Sequence, residues 1–318
     1  MKALAAFENG FAGLAPFLPK IGEDKAREIA RARAAALRPD QAPQAILQAI
    51  RAGGLLDLAG GRLEYFDDDS LWICLKELLL NEDYYFESAA EAPRVLDCGA
   101  YFGLAVHYFK RLHPRCRVTA FEPNPRVLEV LRANVARNGY ADVEILPYAI
   151  AGRDGKAAFR ISERFSMAGS LTERRINAGD EVRTVEVECR RLSRYLAEPV
   201  DFLKLDIEGS EDEALAEAAP LLGNVRFLFC EYHHASGMPT DRLSRILRVL
   251  DKANFDYHVG KSATYAESTA RRPMAAVEKP YSAVIWAANK NWTVGKRAAA
   301  RYLERGKAGA AGIRRTRG

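Results

Sequence analysis

From Arg94 onward, short apolar runs alternate with longer stretches in which apolar residues recur every third or fourth position. Short runs bounded by turn residues read as buried strands, and the periodic stretches as helices with one buried face. The pattern predicts strands near residues 94–97, 116–121, 143–148, 201–206, 226–232, 254–259 and 281–288. Helices fill 103–112, 124–138, 210–219 and 240–252. Such alternation favours an α/β fold whose parallel sheet is covered on both faces. The segment 157–190 breaks the pattern: Ala158 to Ser162 and Thr184 to Cys189 are extended, while Ser166 to Gly179 is rich in turn formers. It reads as an elaboration over the carboxyl ends of the strands, where open α/β sheets gather their ligands.

The first 90 residues read as a mainly helical cap. Residues 23–38 form a solvated helix that stops at Arg38-Pro39, and a second runs from Pro43 through Ile46, Leu47 and Ile50 to Gly53-Gly54. Leu55 to Leu58 and Arg62 to Phe66 flank Ala59-Gly60-Gly61 and suit a small hairpin. Asp69 or Ser70 then caps a helix carrying Leu71, Leu75, Leu78 and Leu79. The aromatic run Asp83-Tyr84-Tyr85-Phe86 suits packing of the cap on the core ahead of the alternative, folding over a ligand. The expected organisation is a cap over 1–90, an α/β domain over 91–290 and a basic tail over 291–318.

Charge sharpens that division. In the tail, eight basic residues face Glu304 alone, so it carries +7 and leaves −2 on the remainder of a 318-residue chain whose total is +5. A nearly neutral body argues against a broad nucleic-acid-binding face, although the tail itself suits contacts with phosphates or an anionic surface. Five scattered cysteines, mostly inside apolar runs, suggest reduced core thiols. No apolar stretch approaches the ~20 residues of a membrane span, and no export signal is evident, so the expected location is cytoplasmic.

The chemistry concentrates at three strand ends. In Arg94 to Gly103 a strand ends at Asp97, and Gly99, Ala100, Tyr101 and Gly103 turn into a helix. The next strand ends in Glu122-Pro123, placing an acid 23 residues beyond Gly99, where it can accept hydrogen bonds from ribose hydroxyls. The Gly-x-x-x-Gly spacing differs from the dinucleotide pattern and suits a cofactor with a nucleoside but no phosphate. The second stretch, Lys204 to Glu211, crowds Asp206 and Glu208 at a strand end; Glu211 and Asp212 are assigned to the first turn of the following helix, where negative charge is favoured. The third, Phe229 to His234, places Glu231 and His233 on one face of a strand by alternation. A lone His-His pair is a weak metal signal, and no metal ligands are assigned.

Asp97 to Gly103, Phe121 to Asn124, the Ala149 to Gly155 stretch, Gly169-Ser170-Leu171, Lys204 to Glu211 and Glu231-Tyr232-His233 together resemble, in that order, the FkbM-type S-adenosylmethionine-dependent methyltransferases. The resemblance covers residues 93–234, and Lys-x-Asp-x-Glu-Gly-x-Glu is its most specific part. Tyr101 departs from it, standing where the family usually has Asn. The resemblance implies a Rossmann-like seven-stranded methyltransferase sheet with the last strand antiparallel. It also implies methyl transfer from S-adenosylmethionine to a hydroxyl of a small molecule, sugar or glycan, with no metal required. Asp97, Gly99, Ala100, Tyr101, Gly103, Glu122, Pro123, Ala149 and Asp206 would hold the cofactor. His233 would act as base with Glu231 orienting it, Glu208 as the runner-up and Asp206 near the transferable methyl. The competing reading is a noncatalytic module of the same fold whose basic tail docks on an anionic partner. A nicotinamide-dependent oxidoreductase would need a pyrophosphate-binding turn that Gly-x-x-x-Gly does not supply.

Overall fold

The computed structural model describes residues 51–52, 55–58, 61–162, 167, 169–171, 181–234, 238–261 and 281–292. The helix expected over 23–38, the first part of that expected from Pro43 to Gly53, most of the turn-rich 166–179 segment and nearly all of the basic tail lie outside the described residues. The end of the second helix is corrected, because Arg51–Ala52 pair with Leu55–Leu56 as a strand. Strands β1 (Arg51–Ala52), β2 (Leu55–Leu58) and β3 (Gly61–Leu63) form a small antiparallel sheet. The expected hairpin is present, with its second strand ending at Leu63 rather than at Phe66. Helix α1 (Asp68–Leu75) follows and runs on as a π-helical turn, Lys76–Asn81. Its cap is Asp67, not Asp69 or Ser70: the Asp67 carboxylate accepts the Ser70 N–H at 2.7 Å and the Ser70 hydroxyl at 2.8 Å.

The chain then alternates as expected through β4 (Arg94–Cys98), α2 (Leu104–Leu112), β5 (Arg117–Phe121), α3 (Pro125–Arg137) and β6 (Val143–Leu146). Pro125 opens α3 with a preset φ, and the Asn124 side chain accepts the Arg126 N–H at 3.1 Å. What read as one strand over 143–148 is two. After Pro147 the chain leaves the central sheet, and β7 (Tyr148–Ala151) joins β8 (Gly155–Ser162) and β9 (Val182–Arg191) in a separate three-stranded sheet of order β7-β9-β8. The chain returns through β10 (Val200–Leu205), α4 (Glu211–Ala218), β11 (Val225–His234), α5 (Arg242–Lys252), β12 (Phe255–Lys261) and β13 (Tyr281–Asn289).

The central sheet has seven strands in the order β12-β13-β11-β10-β4-β5-β6. Pairs among β11, β10, β4, β5 and β6 are parallel, and β13 runs antiparallel to both neighbours. Successive connections climb one way from β4 to β6 and the other way from β10 to β11, so the switch point lies between β4 and β10. This is the Rossmann-like arrangement, and the carboxyl ends of β4 and β10 are where it opens a crevice.

Alternation along the strands divides the core. Val95, Phe202, Phe227 and Phe229 face one apolar cluster, while Leu96, Cys98, Leu203, Leu205, Leu228 and Cys230 face another. On the first face, Tyr84 stands edge-on to Phe229 at 4.8 Å, and Phe86 stacks on Phe202 at 5.0 Å. The aromatic run after α1 is thus committed to packing. No helix among the described residues is long and apolar enough to cross a membrane.

Asn134, almost fully buried in α3, ties the small sheet to the domain. Its Oδ1 accepts the Glu64 N–H at 2.7 Å, while its Nδ2 donates to the Glu64 and Phe102 carbonyls, both at 2.8 Å. Asn134→Ala strips partners from three backbone groups and should cost about 2–3 kcal/mol. Urea unfolding would measure the loss, and an unchanged midpoint would show that the small sheet is not held there.

Candidate functional site

The strongest pairing at the switch point is between two charges in the sheet. Lys204 of β10 and Asp97 of β4 are direct partners in the parallel register. Lys204 Nζ lies 3.4 Å from Asp97 Oδ1 and 3.3 Å from Asp206 Oδ2, and donates to the Gly99 carbonyl at 2.7 Å. The lysine side chain is 3% exposed and that of Asp97 0%. Burial raises the Asp97 carboxyl, with Lys204 opposing it. Burial would lower the Lys204 ammonium, but Asp206 and then Asp97 outweigh it and hold it above its ordinary value.

This lysine fixes the glycine turn. Gly99 and Gly103 both have positive φ, +88° and +91°. Gly99 and Ala100 donate their N–H groups to the Phe121 carbonyl at 3.1 and 2.9 Å, joining the turn to the end of β5. A Cβ on Gly99 would lie 1.9 Å from the Asp206 backbone oxygen. What forbids a side chain there is therefore the neighbouring loop, and glycine lets the two strand ends approach. Tyr101 also has positive φ, 50°. That left-handed region is where Asn is the best tolerated residue after glycine, so a tyrosine is held there at a cost.

Glu122 closes the turn. Its Oε2 accepts the Tyr101 N–H at 3.0 Å and its Oε1 the Asn124 N–H at 2.8 Å. Burial pushes its carboxyl up to about 7, although both hydrogen bonds pull it down. Each oxygen keeps a second lone pair, so the group can still accept from a ligand hydroxyl.

A cleft of about 670 Å³, counting its open mouth, runs from Glu122 to Glu208. Gly99, Tyr101, Glu122, Pro123, Ala149 and Asp206 of the expected cofactor set line it, whereas Asp97, Ala100 and Gly103 stand behind its wall. Tyr148, Ile150 and Phe159 of the side sheet line it too, with Gly169 and Leu171, so the elaboration covers the cleft. Ser170 Oγ donates to the Glu208 carbonyl at 2.6 Å and links that cover to the loop after β10. Tyr148 and Phe159 were not foreseen. The signal was the proline at 147, which marks the point where the chain changes sheets.

Asp206 and Glu208 line the far end, and His233 stands behind Glu208 with its side chain 5% exposed. His233 Nε2 is 3.6 Å from Glu208 Oε2 and 3.7 Å from Glu231 Oε1. Its Nδ1 pairs with Glu211 Oε1 at 3.1 Å, and Glu211 also accepts the Gly209 N–H at 2.8 Å. The carboxylate orienting His233 is thus Glu211, which sequence reasoning assigned to the helix turn, rather than Glu231, which accepts the Ser282 hydroxyl at 2.9 Å. Asp212 is not a simple helix-turn acid either: Arg242 Nε donates to it at 2.8 Å. Glu208 has φ of 58°, so both ends of the cleft carry a non-glycine residue in the left-handed region. Asp206, Glu208 and His233 bring one donor atom each within 4.8 Å of one another, a set able to hold a cation.

Comparison with known proteins gives a consistent picture. The model of the methyltransferase FkbM domain matches residues 97–257. The 2-O-methyltransferase NoeI of Sinorhizobium fredii is 28% identical over 156 residues, covering 44% of this chain and 63% of that protein. Methyltransferase sdnD of Sordaria araneosa is 28% identical over 171 residues, covering 44% of this chain and 66% of that one. The chain therefore spans less than two thirds of the length of either. The crystal structure of a methyltransferase FkbM from Methylobacillus flagellatus KT superposes with a TM-score of 0.40 at 16% identity, over 80% of this chain and 60% of that one, too loosely to carry an argument.

The Gly99 contact yields a comparison between two glycines. Gly139 also has positive φ, +65°, but a Cβ there meets nothing within 4 Å. Gly139→Ala should cost only the backbone term, about 1–2 kcal/mol. Gly99→Ala adds a collision with backbone and should cost at least ~3 kcal/mol. Equal losses in denaturant unfolding would mean that the strand ends separate freely.

Proposed function

Because the chain belongs to the FkbM methyltransferase domain family, we propose that it transfers a methyl group from S-adenosylmethionine to a hydroxyl oxygen of a small molecule, sugar or glycan. One observation carries the reading: a single cleft at the switch point has a hydroxyl-accepting carboxylate, Glu122, at one end and proton-accepting groups, Asp206 and Glu208, at the other. The name of NoeI, a 2-O-methyltransferase, supports oxygen as the acceptor atom.

Glu122 takes the ribose hydroxyls, and the turn from Gly99 to Tyr101 forms the wall beside them. The sulfonium is already an activated donor. The protein has to align the acceptor oxygen behind the methyl and receive its proton. As the new C–O bond forms, the C–S bond breaks with its electron pair going to sulfur, and the hydroxyl proton passes to the carboxylate cluster. Glu208 lines the cleft and takes that proton first, with His233 and Glu211 lined up behind it. His233, favoured from sequence as the base, becomes the second member of a relay. The side-sheet residues that line the cleft, Tyr148, Ile150 and Phe159, then select the acceptor.

Glu122→Ala should weaken cofactor binding by roughly 1.5–3 kcal/mol, the scale of a charged hydrogen-bond acceptor. A ligand hydroxyl donating to Glu122 favours the ionised carboxylate. Cofactor affinity in the unmodified chain should therefore improve as pH rises through about 7 and its carboxyl gives up the proton. Calorimetric titration across that range reads both effects, and a flat profile would remove Glu122 from the binding site. Glu208→Gln should retain cofactor affinity and lose at least ~100-fold in labelled-methyl transfer to a panel of hydroxylated metabolites and glycans. Full turnover in that variant would assign the proton to another group.

A further inference from the structure

The carboxylate that receives the proton is aimed by a backbone turn, and that turn is gripped from two sides. Glu208 has φ of 58° and Gly209 follows at 112°, so two consecutive residues beyond β10 run through positive φ. Glycine takes that region without a clash, whereas a glutamate holds it at a steric cost. Three hydrogen bonds oppose the cost. The Glu208 carbonyl accepts from Ser170 Oγ at 2.6 Å, the Gly209 N–H donates to Glu211 Oε1 at 2.8 Å, and the Gly209 carbonyl accepts from Arg242 Nη2 at 2.7 Å. The first two belong to the single peptide group that joins Glu208 to Gly209, so turning that peptide over would break both.

Each outer grip is itself anchored. Ser170 is 1% exposed and bridges to β8: its N–H donates to the Arg160 carbonyl, and its carbonyl accepts the Arg160 N–H, both at 2.9 Å. Gly169 makes that approach possible, since a Cβ there would lie 2.6 Å from the Phe159 ring. On the other side, Arg242 opens α5 and its Nε donates to Asp212 of α4 at 2.8 Å. The side chains of Arg242 and Asp212 are 7% and 2% exposed, so this charge-assisted contact is little weakened by water. Two elements remote from each other in sequence therefore meet on one turn.

We propose that Ser170 and Arg242 are positioning residues for the proton acceptor: they hold the Glu208–Gly209 turn in its left-handed form and so keep the Glu208 carboxylate in the cleft. The role of that carboxylate rests on the methyl-transfer reading. With Ser170 or Arg242 removed, Glu208 relaxes toward negative φ and its Cα–Cβ bond swings with the backbone. Proton transfer needs hydrogen-bond reach, so a displacement of about 1 Å is enough to slow it. Gly169 and Leu171, on either side of Ser170, line the same cleft. The strip that touches the occupant of the cleft thus also sets the direction of the group that takes its proton.

The test compares Ser170→Ala and Arg242→Lys in the full chain by labelled-methyl transfer, with cofactor affinity measured by calorimetry. Ser170→Ala removes only the hydroxyl, and Arg242→Lys keeps the charge beside Asp212 but loses the fork that reaches both Asp212 and Gly209. Each should lose about 10- to 100-fold in kcat while cofactor Kd changes less than about 3-fold. In the Glu208→Gln background neither should cost anything further, because both act through that carboxylate. Full kcat in either variant, a cofactor Kd that weakens in step with kcat, or a further loss of the same size in the Glu208→Gln background overturns the assignment. Should Arg242→Lys fail to fold, Ser170→Ala decides alone. A crystal structure of Ser170→Ala gives a readout that needs no turnover: Glu208 at negative φ is expected, and Glu208 still near 58° overturns the proposal. Absence of transfer to any hydroxyl by the unmodified chain sinks the methyl-transfer reading instead, and that backbone angle still decides what Ser170 holds.

Discussion

A lysine with almost no access to water sits where the two halves of the sheet diverge, and the cleft depends on what its ammonium touches. Burying such a group alone would cost several kcal/mol. Here Asp97 comes from the adjacent strand, Asp206 from the loop beyond, and the Gly99 carbonyl from the turn between them. Lys204 thereby fixes the separation of two loops whose side chains belong to opposite ends of the site. Gly99 permits the approach, since a Cβ there would overlap the Asp206 carbonyl. The charge pair and the glycine are one device: the first pulls the strand ends together and the second lets them meet.

Two residues hold unfavourable backbone angles beside this device, Tyr101 at φ 50° and Glu208 at 58°. Each costs on the order of 1 kcal/mol or more, and such angles persist where surrounding contacts over-determine them. For Tyr101 those contacts are its N–H to Glu122 and its ring stacked 5.7 Å from Phe66. For Glu208 they include its carbonyl, held by Ser170 at 2.6 Å, and the next residue's N–H, held by Glu211 at 2.8 Å. Both strained residues line the cleft. Two of the four non-glycine residues with positive φ among the described residues thus stand at the cleft.

Local pattern made the seven central strands and the four helices between them legible, because each is an apolar run or an amphipathic period set off by turns, while the antiparallel direction of β13 came from the family resemblance alone. Asn124-Pro125 announced its own helix start. Three features were out of reach for the same reason, that each depends on which distant residues become neighbours. Tyr148 to Ala151 looks like the continuation of one strand, and only pairing with Glu188 to Arg191 moves it to another sheet. Lys204 is one more basic residue until its register partner proves to be Asp97. Glu211 carries every sign of a helix first-turn acid, and it is the return of β11 beside α4 that brings His233 to it.

The family match begins at residue 97, yet the chemistry at Lys204 reaches further back along the chain. Tyr84 lies with its ring 5.7 Å from Lys204 Nζ, and its hydroxyl donates to Glu77 at 3.4 Å. Glu77 sits on the π-helical turn, a distortion that often accompanies functional positions, and burial, then Glu231 and Asp206, raise its carboxyl well above the ordinary range. Burial beside those carboxylates makes Glu77 hold its proton more tightly than an exposed carboxyl would. The sheet's apolar face and its buried ion pair are both closed by residues 77–86, through Tyr84 on Phe229 and Phe86 on Phe202. The segment that precedes the matched methyltransferase core therefore completes the wall behind the cleft.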